Sequence, residues 1–163
     1  MKKTICHKSK GFSLIEILVV LAIMAILITL AVPSNKGRYD KVKVKESLVL
    51  IDTYKAQIEA IYALTGEFPE DNAAAGLPEP QQIVGNFLSS TELEQGAFHL
   101  ELGNKISPDL QGLMISVRPV FVPGVENAPV SWICGDDTVP ENMVAAGENK
   151  TNIPVSALPI VCR

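Results

Sequence analysis

The chain has 163 residues, a formal net charge of −4 and an apolar fraction of 47%. This length suits one domain with an appended segment and is too short for a doubly wound fold plus a second domain, and the apolar fraction excludes an intrinsically disordered chain. The net acidity argues against a surface built throughout to hold nucleic acid, and three cysteines are too few for a disulfide-dense mini-protein.

The first eleven residues, MKKTICHKSKG, hold Lys2, Lys3, Lys8 and Lys10 and no acid. Residues 12–32 follow as FSLIEILVVLAIMAILITLAV, apolar at every position but Ser13, Glu16 and Thr29. As a helix this run would be roughly 30 Å long, the thickness of a bilayer's hydrocarbon core. Outside it the apolar fraction falls to about 41%, an ordinary soluble composition. Lysines ahead of an apolar segment hold that end in the cytoplasm, so the remainder is expected across the membrane. The run is too long for a cleaved secretory signal and lacks a clean small-x-small site after it; a plain uncleaved anchor stays open. Glu16 points further. A carboxylate in a spanning helix costs about 2.5 to 3.5 kcal/mol on insertion scales and needs a partner. No basic residue lies within the run, so that partner is another chain, a terminus or a proton. A cut between Gly11 and Phe12 would leave a new α-amino group one helical turn from Glu16, able to pair with Glu16 of a neighbouring copy and so set helix register.

The stretch Lys8-Ser-Lys-Gly11-Phe12-Ser13-Leu14-Ile15-Glu16 resembles the cleavage region of type IV prepilins. The shared pattern is a short basic leader ending in Gly, then Phe, Ser or Thr, Leu, a branched residue and Glu, ahead of a long apolar run. The resemblance implies cleavage after Gly11 by a prepilin peptidase that also N-methylates Phe12, with Glu16 as the assembly carboxylate. The leader's length is similar to that of the type IVa subgroup.

Pro33 ends the apolar run and removes a backbone donor, which favours a kink. Beyond Tyr39 helical periodicity resumes: Val44, Leu48, Ile51, Ile58, Ile61 and Tyr62 share a face, while Lys41, Lys43, Lys45, Glu46, Asp52 and Glu59 mostly take the others. Gly66 is placed to cap this helix and Pro69 to stop it. A helix bent at Pro33 is expected from about residue 12 to 65, its first part (12–33) in lipid or a filament core and its second (34–65) laid on a head of residues 66–163.

Residues 66–95, rich in Pro, Gly, Ala and acids, read as a connecting loop with a short helix near 83–88. Three strands are expected at 97–102, 113–122 and 130–134, with Pro119 pushing the second towards an edge or an early end. Turn residues separate them, so the economical topology is an antiparallel meander with one face on the helix stripe. The expected fold class is therefore α+β, and Trp132 is assigned to its core in preference to a ligand role.

Cys6 lies in the leader, which leaves Cys134 and Cys162. In an oxidising compartment these pair and close a loop-like segment, with two free thiols as the alternative. The ending Ala157-Leu-Pro-Ile-Val-Cys162-Arg163 also resembles the C-terminal disulfide region of type IVa pilins. Charge is uneven: residues 34–55 carry six basic and three acidic residues, net +3, and residues 56–163 carry four and fourteen, net −10. Lys41, Lys43 and Lys45 are thus expected to face anionic lipid, then acidic heads of neighbouring copies.

No G-x-G-x-x-G, Walker A or G-x-S-x-G motif occurs, so no enzyme and no cofactor is expected. His99 has no second ligand at metal-binding spacing. Asp136, Asp137 and Glu141 are more simply solvated than calcium-binding, and Asn149-Lys150-Thr151 is a weak glycosylation pattern. The resemblance implies a pilus subunit that is held in the inner membrane, then polymerised with copies of itself by inner-membrane assembly machinery into an extracellular filament of a Gram-negative bacterium. Adhesion, twitching motility and DNA uptake are the roles it implies. A competence or minor pilin that grips DNA and a type II secretion pseudopilin are the alternatives; the acidic head speaks against nucleic acid.

Overall fold

The computed structural model describes residues 11–31, 36–125 and 128–163. The chain divides into two units, the first ending at Asn35 and the second running from Lys36 to Arg163. The expected bend at Pro33 and the leader lie outside the described residues, apart from Gly11.

In the first unit, helix α1 spans Leu14–Ala31. In the second, helix α2 spans Lys36–Thr65 and is followed by strands β1 (Leu88–Glu94), β2 (Ala97–Leu102), β3 (Met114–Phe121), β4 (Ser131–Cys134) and β5 (Val144–Ala145). Helix α2 exists because its apolar side chains recur at three and four residues and have a sheet to cover. Val44, Ile51 and Ile58 are fully buried, with Leu48, Tyr54 and Ile61 packed beside them. The expected stripe is present, with Ser47 added to it: its hydroxyl donates to the Lys43 carbonyl (3.2 Å), which satisfies the buried oxygen. Lys43 and Glu59 do not sit on the solvent side as expected. The Lys43 ammonium bonds Ser107 Oγ (3.2 Å) and lies over the Phe87 ring, and Glu59 accepts from the Trp132 indole (2.7 Å). Gly66 follows the helix with φ +76°, the left-handed conformation expected of a capping glycine.

The sheet is antiparallel in the order β1-β2-β3-β4, with β5 paired to β3 at Val120 and Phe121. The three expected strands are β2, β3 and β4, in meander order. Strand β1 overturns the reading of residues 88–95 as loop, and the expected short helix at 83–88 is replaced by a 3₁₀ turn at Pro80–Gln82. The sequence LSSTELE hides its strand because of a register shift between Leu88 and Ser90. Leu88 and Thr91, an odd number apart, are both buried, so the alternation that reveals a half-buried strand is broken at its start.

Pro119 neither ends β3 nor places it at an edge; β3 lies between β2 and β4. The Pro119 carbonyl accepts from Ala146 N–H (2.9 Å) on the side where β2 has run out, its first pair being Phe98 with Val117. The proline nitrogen faces that same side, so no ladder bond to β4 is lost.

The core fills the space between α2 and the inner sheet face, around Phe98, Leu100, Leu102, Ile115 and Val117. Trp132 belongs to it as expected: it is half-buried, 5.8 Å from the Phe98 ring, with the Lys55 ammonium over its face. At the far end of α2, Tyr62 stacks on Phe68 and both meet Phe121. The loop after α2 is ordered by Asn72, whose amide oxygen accepts Leu93 N–H (2.7 Å) and whose nitrogen donates to Pro78 O (2.9 Å) and Thr91 O (3.3 Å). The open edge of β1 is thereby covered.

The segment closed by the Cys134–Cys162 disulfide is more than a loop. After β5, Gly147 lies against Ala97 and the Glu94 carbonyl. The chain then crosses the outer sheet face as a strap: Lys150 N–H donates to Ser116 Oγ (2.8 Å), Thr151 Oγ1 accepts Ser116 N–H (3.0 Å), and Asn152 exchanges two bonds with Met114 (2.7 and 3.0 Å).

Candidate functional site

The Gly11–Phe12 bond lies before the start of α1, in backbone without regular structure. Phe12 is 79% exposed, and a Cβ built on Gly11 would meet nothing. A bond outside a helix, beside a residue with no side chain, is one that an extended-substrate peptidase is able to enter.

Ser13 and Glu16 open the helix together. The Ser13 carbonyl accepts from Glu16 and Ile17 N–H (3.0 and 3.3 Å), and the Glu16 carboxylate reaches back to Ser13 N–H (3.4 Å). This is half of a capping box, with the acid at the positive end of the helix dipole. Sequence reasoning missed it, although Ser-x-x-Glu ahead of an apolar run is its signature. Glu16 thus has a local partner besides the three considered for it, through a long bond to one carboxylate oxygen.

Beyond Glu16, α1 is apolar on every side but for Thr29, whose hydroxyl donates to the Ile26 carbonyl (2.7 Å). Leu14, Ile15, Leu18, Leu21, Ile26 and their neighbours are exposed within their unit. A helix of this kind is stable only when lipid or other helices cover it. Its 18 residues span about 27 Å. Among the described residues no helix is long and apolar enough to cross a membrane. The spanning segment expected at 12–33 therefore rests on the sequence, including positions beyond Ala31.

The other candidates separate clearly. Cys134 and Cys162 form a disulfide, as expected. No group of three potential metal-ligating side chains is found among the described residues: Asp137 caps Thr138 N–H (2.9 Å), and Asp136 Oδ1 lies 3.4 Å from the Asn149 amide. That amide also donates to Gly135 O (3.0 Å), so the Asn149 sequon holds the strap in place.

A second cluster was not legible in the sequence. His99 is almost wholly buried between β2 and the strap, with Nδ1 bonded to Ser116 Oγ (2.9 Å) and Nε2 without a hydrogen-bond partner, 3.6 Å from Glu94 Oε2. Glu94 is instead bound by the Lys150 ammonium. Burial lowers the His99 pKa from its ordinary 6.5; the Lys150 charge adds to this and Glu94 opposes it. The bond to Lys150 lowers the Glu94 pKa, and the same bond raises that of Lys150. The Ser116–His99–Glu94 sequence has the composition of a hydrolytic triad, but Ser116 is fully buried and its hydroxyl already accepts a strap amide. No substrate reaches it, and the cluster is a fastener.

Two family models match the chain: the prokaryotic N-terminal methylation motif over residues 6–32 and the pilin of bacterial filaments over residues 41–149. Among curated proteins, a type IV major pilin of Neisseria gonorrhoeae is 30% identical over 160 residues, covering 94% of this chain and 87% of its own. A fimbrial protein of Neisseria meningitidis serogroup B is 27% identical, with 94% of each chain covered. A prepilin peptidase-dependent protein of Escherichia coli is 28% identical over 122 residues, covering 74% and 77%. The methylation motif falls on the capped, apolar α1, and the pilin match runs from α2 into the strap, so the chain belongs to the type IV pilin family and is a structural subunit.

Proposed function

We propose that this type IV pilin is a major subunit, polymerising through α1 into a surface filament that serves adhesion and twitching motility and has a place in DNA uptake. The observation that carries this reading is the contrast between the two helices. Helix α2 buries its stripe in its own head, whereas the large apolar side chains of α1, among the described residues, are exposed. Before assembly, lipid of the inner membrane covers them; afterwards, other copies of α1 do. A prepilin peptidase cuts between Gly11 and Phe12 and methylates Phe12. The new amine then pairs with Glu16 of a neighbouring copy, and the assembly machinery moves the subunit from the inner membrane to the extracellular pilus.

Similarity to relatives named as major pilins and fimbrial proteins supports the major-subunit reading over a secretion pseudopilin. A DNA-gripping head would need basic charge, and residues 56–163 carry a net −10. Electron microscopy of a deletion strain tests the assignment: loss of surface filaments is expected, and intact filaments would refute it. Mass spectrometry of the mature N-terminus is expected to find methylated Phe12; an intact Met1 would overturn the processing step. Glu16→Ala should be processed and inserted yet fail to assemble, seen as subunit retained in the membrane fraction.

A further inference from the structure

The buried cluster on the outer sheet face lies wholly within the second unit. The His99 ring is enclosed by charged or polar groups from each element packed on it. Strand β1 supplies Glu92 and Glu94, which pair across from His99 and Ala97; β3 supplies Ser116, with Arg118 two residues further along the same face; the strap supplies Glu148 and Lys150. On β2 itself Glu101 shares the face, held by Ser90 (3.0 Å). A neutral ring satisfies one nitrogen through Ser116 Oγ and leaves Nε2 unpaired. A charged ring has two donors, and only one of them has a partner within reach. The second, on Nε2, faces a Glu94 carboxylate that Lys150 already holds.

We propose that His99 is an acid-sensitive latch: a solvent proton taken up by its ring draws Glu94 from Lys150 to the imidazolium and loosens the strap from Gly147 to Lys150 over the sheet. Both anchors of the strap at Lys150 touch this ring. The side chain is held by Glu94. The backbone N–H is held by Ser116 Oγ, which must accept from Nδ1–H as well once the ring is charged, so that one oxygen then serves two N–H donors. The imidazolium and the Lys150 ammonium then compete for one carboxylate at close range, and the ammonium is the group with open solvent beside it. The bonds at Thr151 and Asn152 and the Cys134–Cys162 disulfide do not involve the ring, so the opening is local. The sign follows from burial. A ring that resists protonation in the closed state stabilises the closed strap fully above about pH 6.5, and this is lost as pH falls from there through the lower pKa of the closed form.

The test uses the full chain in detergent, with amide hydrogen exchange corrected for its intrinsic pH dependence. Protection of the Lys150 amide is expected to fall up to about tenfold per pH unit between pH 6.5 and the closed-form pKa. The Leu102 amide, bonded to Leu113 O (2.8 Å) in the ladder region, should hold its protection. In His99→Gln the acid-dependent loss should vanish. The His99 ring signal and the chemical shift of the Lys150 amide, both followed by NMR in the unmutated chain, should titrate with one midpoint, which tests the latch even if the variant does not fold. Lys150 protection that does not fall between about pH 6.5 and pH 5, shift midpoints that differ, or an acid-dependent loss that persists in His99→Gln would overturn the latch.

Discussion

Asn72 shows how much one side chain decides. From a nearly buried position its amide ties the loop after α2 to the open edge of β1 through one accepted and one donated bond, and donates a second within the loop to Pro78 O. Truncation leaves the Leu93 N–H without a partner away from water, at a cost of about 1 to 3 kcal/mol for that group alone. Asn72→Ala is therefore expected to lower stability by about 2 to 3 kcal/mol, measured by urea unfolding through the fluorescence of Trp132, the one tryptophan in the chain. Gly147 is decisive for a different reason. Its φ is +71° and a Cβ there would collide with the Ala97 side chain, so the strap crosses the sheet only where a residue has neither constraint.

At the scale of elements, α2 and the strap are fastened to opposite faces of one sheet by different means. Helix α2 relies on apolar burial. Ile51, wholly buried at mid-stripe, should cost about 2 to 5 kcal/mol when cut to Ala. The same urea midpoint, read beside an exposed control such as Val49→Ala, separates packing from helix propensity. The strap has few apolar contacts and depends on side-chain bonds and the disulfide. Replacing Cys134 and Cys162 by Ser removes a closure across a separation of 28 residues, expected to cost on the order of 3 to 4 kcal/mol. Amide exchange should show that loss concentrated in the strap and β4, with the β1–β2 hairpin less affected.

At the scale of the whole molecule, charge is sorted along the chain. The expected pairing of basic helix with acidic neighbouring heads involved Lys41, Lys43 and Lys45, but Lys43 is engaged in its own head with Ser107 and Phe87. A charge reversal there would disturb the fold as well as any interface. Lys41→Glu with Lys45→Glu is the cleaner experiment: filament yield should fall while soluble-head stability changes by less than about 0.5 kcal/mol. Normal filaments from this double variant would exclude lysine-to-head pairing between copies.

Read from one end to the other, the sequence by itself determined whatever depends on local order. The Gly11-Phe12 junction, Glu16, the apolar run, the α2 stripe, strands β2 to β4 and the cysteine pair all show as fixed spacings or sustained periodicity, because one face of each element keeps one environment. The Ser13–Glu16 cap is equally local, a Ser-x-x-Glu spacing ahead of the apolar run. Only the tertiary structure decided the rest. Strand β1 escaped because a bulge breaks its alternation, and the role of Pro119 because the length of a neighbouring strand determines which donors are needed. His99 looked like a lone histidine because both faces of β2 are covered, the outer one by a strap that begins more than forty residues later. Burial by a distant segment leaves no periodic mark near the residue it buries, so that chemistry becomes visible only when the chain is folded.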